Sequence, residues 1–208
     1  MLRYRILMAF MWLAVPVALA WRLARGKDTA RTFAARFGFG MGSAGERPVI
    51  WLHAASVGEL NTLSLLIAPM AQTFPGHDLL VTVANRIAFE NAQALGGERV
   101  HVAIAPLDFP FAVKRFLRHW RPVCAITLEN EVYPIRIHEL TRRNAPIIHV
   151  NARMSAKSHA AWARRPGLAK TVFGSVRLCF AQDTASRSEE HTPELQSRRN
   201  LVCRLLPA

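Results

Sequence analysis

Cysteine, acid and long apolar runs are all scarce in this chain. Its three cysteines, Cys124, Cys179 and Cys203, are odd in number, far apart and without a CxxC pair. That spacing argues against a disulfide scaffold and a cysteine-rich metal site, and it fits a reducing compartment. Asp and Glu number 14 against 27 Lys and Arg, leaving a formal charge of +13. Such an excess suits nucleic acid, anionic lipid or phosphorylated substrates without choosing among them. No apolar run is followed by GxGxxG and no GxxxxGK[ST] occurs, so dinucleotide and P-loop chemistry find no support. There is no Asp-x-Asp and no His/Asp cluster at ligand spacing, and no metal is expected. No RRM, KH or helix-turn-helix pattern and no interleaving of aromatic with basic residues is present, which makes nucleic acid a poor partner.

What is there is a core. The chain is 51% hydrophobic over 208 residues, enough for one full domain and short for two. A wholly disordered protein is excluded.

Both ends stand apart from that core. From Ile6 to Trp21 no residue is charged. As a helix this stretch spans roughly 24 Å, short of a hydrocarbon core of about 30 Å. Three readings compete. Ala18-Leu19-Ala20 resembles a signal-peptide cleavage site, but the positive charge right after the apolar run disfavours export. A core helix would need burial on every side. A membrane anchor over residues 1–27, spanning or lying in the interface, fits best. Arg3 and Arg5 before the run, with Arg22, Arg25 and Lys27 after it, can snorkel to the headgroups. At the other end, Arg187 to Ser197 reads RSEEHTPELQS. Ten of those eleven residues match an in-frame translation of a common sequencing adapter. Residues 187–208 are therefore expected to be an artefactual tail, with the natural sequence diverging past Ser186 into a missing second half. The tail carries four basic and three acidic residues, so the basic excess belongs to the rest of the chain.

Between Arg47 and Gln182, short apolar runs alternate with amphipathic stretches. Val49–His53, Leu79–Val83, Val100–Ala105, Val123–Leu128, Ile147–Val150 and Leu178–Ala181 read as strands buried on both faces. Helical patterns fill the gaps at Gly58–Phe74, Ile87–Leu95, Phe111–Trp120, Pro134–Arg143 and Leu168–Val176. Tyr133, Ile137 and Leu140 recur at helical spacing as an inward face. Alternation of this kind predicts an α/β, Rossmann-like domain, residues 28–186, with a parallel sheet.

In an open parallel sheet, ligands sit beyond the carboxyl ends of the strands. Two acidic clusters fall at such ends, His53-Ala54-Ala55-Ser56-Val57-Gly58-Glu59 and Glu129-Asn130-Glu131-Val132-Tyr133-Pro134. Spacing alone leaves each open. Ser56 and Glu59 fit a capping box as well as a catalytic group, with Gly58 allowing a tight turn. Glu129 and Glu131 fit first-turn acids on a helix dipole as well as a site.

A resemblance bears on that choice. Residues 51–59, WLHAASVGE, resemble the WLHAVSVGE signature of 3-deoxy-D-manno-octulosonic acid (Kdo) transferases. Asp108-Phe109-Pro110 with Val113–Leu117 is similar to that family's DLPxAVRRFL, and Glu129–Pro134 to its ETELWPN. Asn151-Ala152-Arg153-Met154-Ser155 with Ser158 resembles NARLSxRS, and Ala181-Gln182 its AQ. The matches are collinear over residues 51–182. Departures exist: Tyr133 replaces Trp, Ile135 replaces Asn, and a Thr-rich turn is here Thr82-Val83-Ala84-Asn85-Arg86-Ile87-Ala88. Whatever that turn does for the acceptor falls, if anywhere, to Asn85 and Arg86.

The resemblance implies the N-terminal, acceptor-binding half of a GT-B glycosyltransferase at the cytoplasmic face of the inner membrane. It implies inverting, metal-independent transfer of Kdo from CMP-Kdo to the lipid A precursor, lipid IVA, with no cofactor beyond the donor. Glu59 matches the catalytic base and Glu129 a second carboxylate stabilising an oxocarbenium-like centre. Ser56, Gly58, Glu131 and Arg153 match substrate-binding positions. Arg22, Arg25, Lys27, Arg31 and Arg36 suit an anionic membrane surface. Arg153, Lys157, Arg164 and Arg165 suit either acceptor phosphates or a solvated basic face. His53 fits acceptor contact or a core histidine, the other histidines carry no pattern, and Cys124 and Cys179 read as small core residues. Rival readings are another membrane-anchored GT-B transferase on a lipid-linked acceptor, and a catalytically inert fragment.

Overall fold

A computed structural model describes residues 20–26, 28–129, 132–152 and 156–181. The apolar segment up to residue 19, Glu131, Arg153 and the tail from residue 182 lie outside the described residues. Among the described residues no helix is long and apolar enough to cross a membrane.

The six expected strands are all present as β1 (Val49–Ala54), β2 (Asp78–Val83), β3 (Val100–Ile104), β4 (Pro122–Leu128), β5 (Ile147–Ala152) and β6 (Val176–Ala181). They form one sheet in the order β3-β2-β1-β4-β5-β6, every pairing parallel. α1 (Ala30–Arg36) precedes β1, and between the strands run α2 (Val57–Thr73), α3 (Arg86–Ala92), α4 (Pro110–Trp120), α5 (Pro134–Thr141), α6 (Ala156–Ala163) and α7 (Pro166–Phe173). This is the doubly wound α/β arrangement expected. Its strand order reverses direction between β1 and β4.

Alternate strand residues feed two cores. Ile50, Leu52 and Ala54 join Leu79, Val81 and Val83 against Leu60, Leu63 and Ile67 of α2. Val49, Trp51 and Leu80 face the other way, onto Val113, Phe116 and Leu117 of α4 and Ile137 and Leu140 of α5. β1 and β2 are buried along their whole length. Burial on both faces, expected for every strand, fails at the start of β4 and in the terminal strand β6. Val123 in β4 is 43% exposed and Phe180 in β6 is 45% exposed. β6 ends the strand order within this chain, so its flank has one neighbour instead of two. Cys124 and Cys179 are half-buried rather than core, and burial raises the Cys124 thiol.

Two helices carried too little pattern to be expected. α1 is seven residues long and depends on its cap. Thr29 Oγ1 accepts the Thr32 amide at 3.1 Å, and Thr32 Oγ1 accepts the Thr29 amide at 2.8 Å. α6 is an eight-residue piece before a proline. α7 begins at Pro166 and ends at Phe173, before the expected Val176, because Val176 already pairs with Ile147 in the sheet.

One face of the sheet carries a polar row just below the carboxyl edge. Register aligns Thr82, His53, Thr127 and His149 on four successive strands. All four are buried. Burial lowers the His149 ring to about 4. Burial, and then the Arg136 charge, hold His53 well below its ordinary value, with hydrogen bonding at Thr82 opposing. Both rings are therefore neutral in the fold, while unfolding returns each to near 6.5. The unfolded chain then binds more protons below 6.5, so stability falls as pH drops from about 6.5 toward 4. The expected slope is about 1.4 kcal/mol per pH unit for each ring, read from urea unfolding at a series of pH values. His149→Gln is expected to remove about one proton's worth of that slope; an unchanged slope rejects the assignment.

Candidate active site

The carboxyl ends of β1 and β4 lie side by side at the reversal of strand order. His53 and Thr127 are register partners, so two residues further along each strand stand Ala55 and Glu129. The loop from β1 turns into α2 and the loop from β4 into α5, leaving a crevice between diverging connections.

On the β1 side, Ser56 makes the turn. Its extended backbone (φ −121°, ψ 167°) makes it the N-cap of α2, with Oγ accepting the Glu59 amide at 3.1 Å. The Glu59 carboxylate folds back. One oxygen accepts the Ala55 amide at 2.9 Å and the other the Ser56 hydroxyl at 3.1 Å. The cap and the candidate base are thus one structure: the hydrogen bonds that start α2 also orient the carboxylate. Glu59 is 7% exposed. Ser56 and Gly58 are exposed beside it. Gly58 corrects an expectation, because no tight turn requires it. It lies inside α2 without a positive φ, and an added Cβ would meet only Ser56 Oγ at 3.8 Å.

On the β4 side, Glu129 is exposed and holds a left-handed backbone (φ +52°), anchored by its amide to Val150 O at 3.0 Å. Non-glycine residues in that region cost of order 1–3 kcal/mol and gather at functional sites. Asn151, at the same edge on β5, shares the conformation (φ +57°). The dipole alternative for Glu129 does not hold. α5 starts at Pro134 with no acid in its first turn. Asp108 serves there instead, its carboxylate accepting the Ile135 amide at 3.0 Å and the Arg136 amide at 2.8 Å. Asp108-Phe109-Pro110 opens α4 in sequence but caps α5 in space.

Between the two loops lies a packed layer that sequence reasoning passed over. Trp51 Nε1 donates to Thr82 Oγ1 at 2.7 Å, and His53 Nδ1 lies 2.9 Å from the same oxygen. The Tyr133 ring stands edge-on to His53, centroids 5.7 Å apart. Arg136 lies 4.0 Å from the Tyr133 ring centre and 5.0 Å from that of Trp51, and donates to Pro106 O at 3.1 Å. A buried guanidinium held against two rings needs tertiary closure, and no spacing in the sequence announces it. His53 is fully buried, so the core reading holds rather than acceptor contact.

The expected cations divide. Arg36 is buried, donating to Ala84 O at 2.9 Å and pairing with Asp28 at 3.2 Å, so it is removed from any membrane-facing set. Arg22 also pairs with Asp28, at 2.8 Å. Burial pushes Asp28 upward, but these two arginines outweigh it and hold the carboxyl below its ordinary value. Arg25 and Arg31 remain exposed. Arg164 and Arg165 are exposed where α6 meets α7. Arg86 pairs with Glu90 at 3.5 Å.

The family model for 3-deoxy-D-manno-octulosonic-acid transferase (kdotransferase) matches residues 31–202. The chain is 34% identical over 154 residues to the 3-deoxy-D-manno-octulosonic acid transferase of Haemophilus influenzae, covering 74% of this chain and 36% of that one. It is 31% identical over 186 residues to that of Rickettsia bellii, covering 88% and 44%. It therefore spans less than half the length of these relatives. Among solved structures, UDP-N-acetylglucosamine 2-epimerase overlaps 76% of this chain and 44% of its own, at 11% identity and a TM-score of 0.46. The match of the family model to residues 31–202, together with the two relatives, decides the assignment. The chain belongs to the 3-deoxy-D-manno-octulosonic-acid transferase family.

Proposed function

We propose that this chain is the acceptor-binding half of a GT-B glycosyltransferase that moves Kdo from CMP-Kdo to the lipid A precursor lipid IVA at the cytoplasmic face of the inner membrane. The observation that supports it most is the placing of Glu59 and Glu129 at the carboxyl ends of the two central strands, one on each side of the switch point.

The chemistry follows from that placing. A sugar hydroxyl is a poor nucleophile until its proton is taken as it attacks, which is work for a fixed carboxylate. Glu59 is held by the Ala55 amide and the Ser56 hydroxyl before substrate arrives, so little reorganisation remains at the moment of reaction. Departure of CMP leaves positive charge on the Kdo ring, and the exposed Glu129 is the carboxylate to stabilise it. Attack opposite the leaving group inverts the anomeric centre. These side chains perform the proton and charge work, and no metal or cofactor enters any step. Ser56 and Gly58 form the exposed rim beside the base. Glu131 and Arg153 are proposed for substrate contact by their place in the family motifs. The apolar segment at residues 6–21 and the exposed Arg25 and Arg31 are proposed to hold the protein on an anionic membrane surface.

In the complete transferase, Glu59→Gln is expected to lower turnover by ~10²-fold or more with the circular dichroism spectrum unchanged. Release of CMP from CMP-Kdo in the presence of lipid IVA reads it, and retention of more than about a tenth of wild-type turnover overturns the base assignment. Membrane attachment has its own test. Deleting residues 1–21 is expected to release the protein from anionic vesicles only partly, with added salt completing release, since exposed charges are screened within about 10 Å at 0.1 M. Full retention that salt does not touch contradicts attachment by two signals.

A further inference from the structure

Asn85 stands at the end of β2, where the family resemblance leads one to expect a threonine-rich turn. Its backbone is extended (φ −137°, ψ 164°), and its Oδ1 accepts the Ala88 amide at 2.9 Å, capping α3. The other half of the side-chain amide has a different partner. Nδ2 donates to the carbonyl of Ala55 at 3.3 Å, across 30 residues of sequence. Ala55 is the residue whose own amide donates to Glu59 Oε2.

The bonds from Ala55 and Ser56 to the Glu59 carboxylate span four and three residues. Local bonds of this kind set the carboxylate relative to the first turn of α2 and move with it. The bond from Asn85 refers that turn to the end of the neighbouring strand. Asn offers an acceptor and a donor on separate atoms of one planar group, so it can cap one helix and grip another loop together. Arg86, the other polar newcomer in this turn, pairs along its own helix with Glu90 and takes no share in this.

We propose that Asn85 is a positioning residue for Glu59, holding Ala55 so that the carboxylate stays aimed into the crevice. The inference rests on the reading of Glu59 as the base. A misplacement of about 1 Å at a reacting group can cost ~10²-fold in rate, so a single clamp on the loop has leverage.

Asn85→Asp separates the two jobs of this side chain. The carboxylate still caps α3 but has no N–H to give Ala55 and sets an oxygen against that carbonyl. In the complete transferase, assayed with CMP-Kdo and lipid IVA, this variant is expected to melt with wild type. It is expected to lose ~10-fold or more in kcat while KM stays nearly constant. In a Glu59→Gln background the same substitution is expected to cost no further rate, because a clamp on an absent base has nothing to position. Asn85→Ser caps α3 but is too short to reach Ala55, and it repeats the measurement if the aspartate unsettles the fold. Wild-type kcat in both Asn85 variants overturns the inference, and so does an equal loss in the two backgrounds. Wild-type turnover in Glu59→Gln alone identifies failure of the base reading instead.

Discussion

The chemistry proposed for this protein depends on β1 and β4 lying side by side while their chain connections diverge. The strand order reverses at that pair, so the loops leaving β1 and β4 turn to opposite faces of the sheet. A gap at the carboxyl edge follows from the topology rather than from any side chain. Glu59 stands on the first turn of α2, just past β1, and Glu129 follows the end of β4.

Hydrogen bonds between loops that are distant in sequence then hold this edge in shape. Asp108, before α4, caps α5. Asn85, before α3, grips the loop before α2. Leu107 donates to the Arg36 carbonyl, and Arg36 in turn reaches Ala84. The Asp108 and Asn85 bonds each join the end of one strand to the connection after another, and the Arg36 bonds tie the loops after β2 and β3 to the end of α1. Beneath them, Trp51, Thr82, His53, Tyr133 and Arg136 form a polar and aromatic layer. Its histidine is kept neutral by burial and by the adjacent guanidinium. A low local dielectric makes such a layer costly to rearrange, which favours one conformation of the loops it carries.

The basic excess has more than one use. Arg36 and Arg136 are interior residues, one matched to Asp28 and the Ala84 carbonyl, the other set against aromatic rings. Cations of this kind shape the fold and do not reach a lipid surface. Net charge counted from composition therefore overstates what is available to an anionic partner. The exposed remainder, with Arg25 and Arg31 near the amino-terminal segment, carries that part of the proposal.

Composition and period by themselves determined that the chain makes strands and helices in alternation, and where five of the helices α1 to α7 and all six strands fall to within a few residues. A buried strand is a run of branched apolar residues, and a helix facing a core repeats every three to four, so both are written locally. The resemblance of short motifs to a family singled out Ser56, Glu59 and Glu129 as candidates, where spacing alone had left them open. Tertiary structure alone decided the rest, because it depends on contacts between residues far apart in the chain. Strand order, which sets the carboxyl ends of β1 and β4 side by side, follows from packing of the whole sheet. Asp108 precedes its own helix yet caps another, Arg36 looks like a surface cation yet is buried, and Asn85 looks like a plain cap yet holds Ala55. In each case the residue type sets which bonds are possible, and the fold selects the partner.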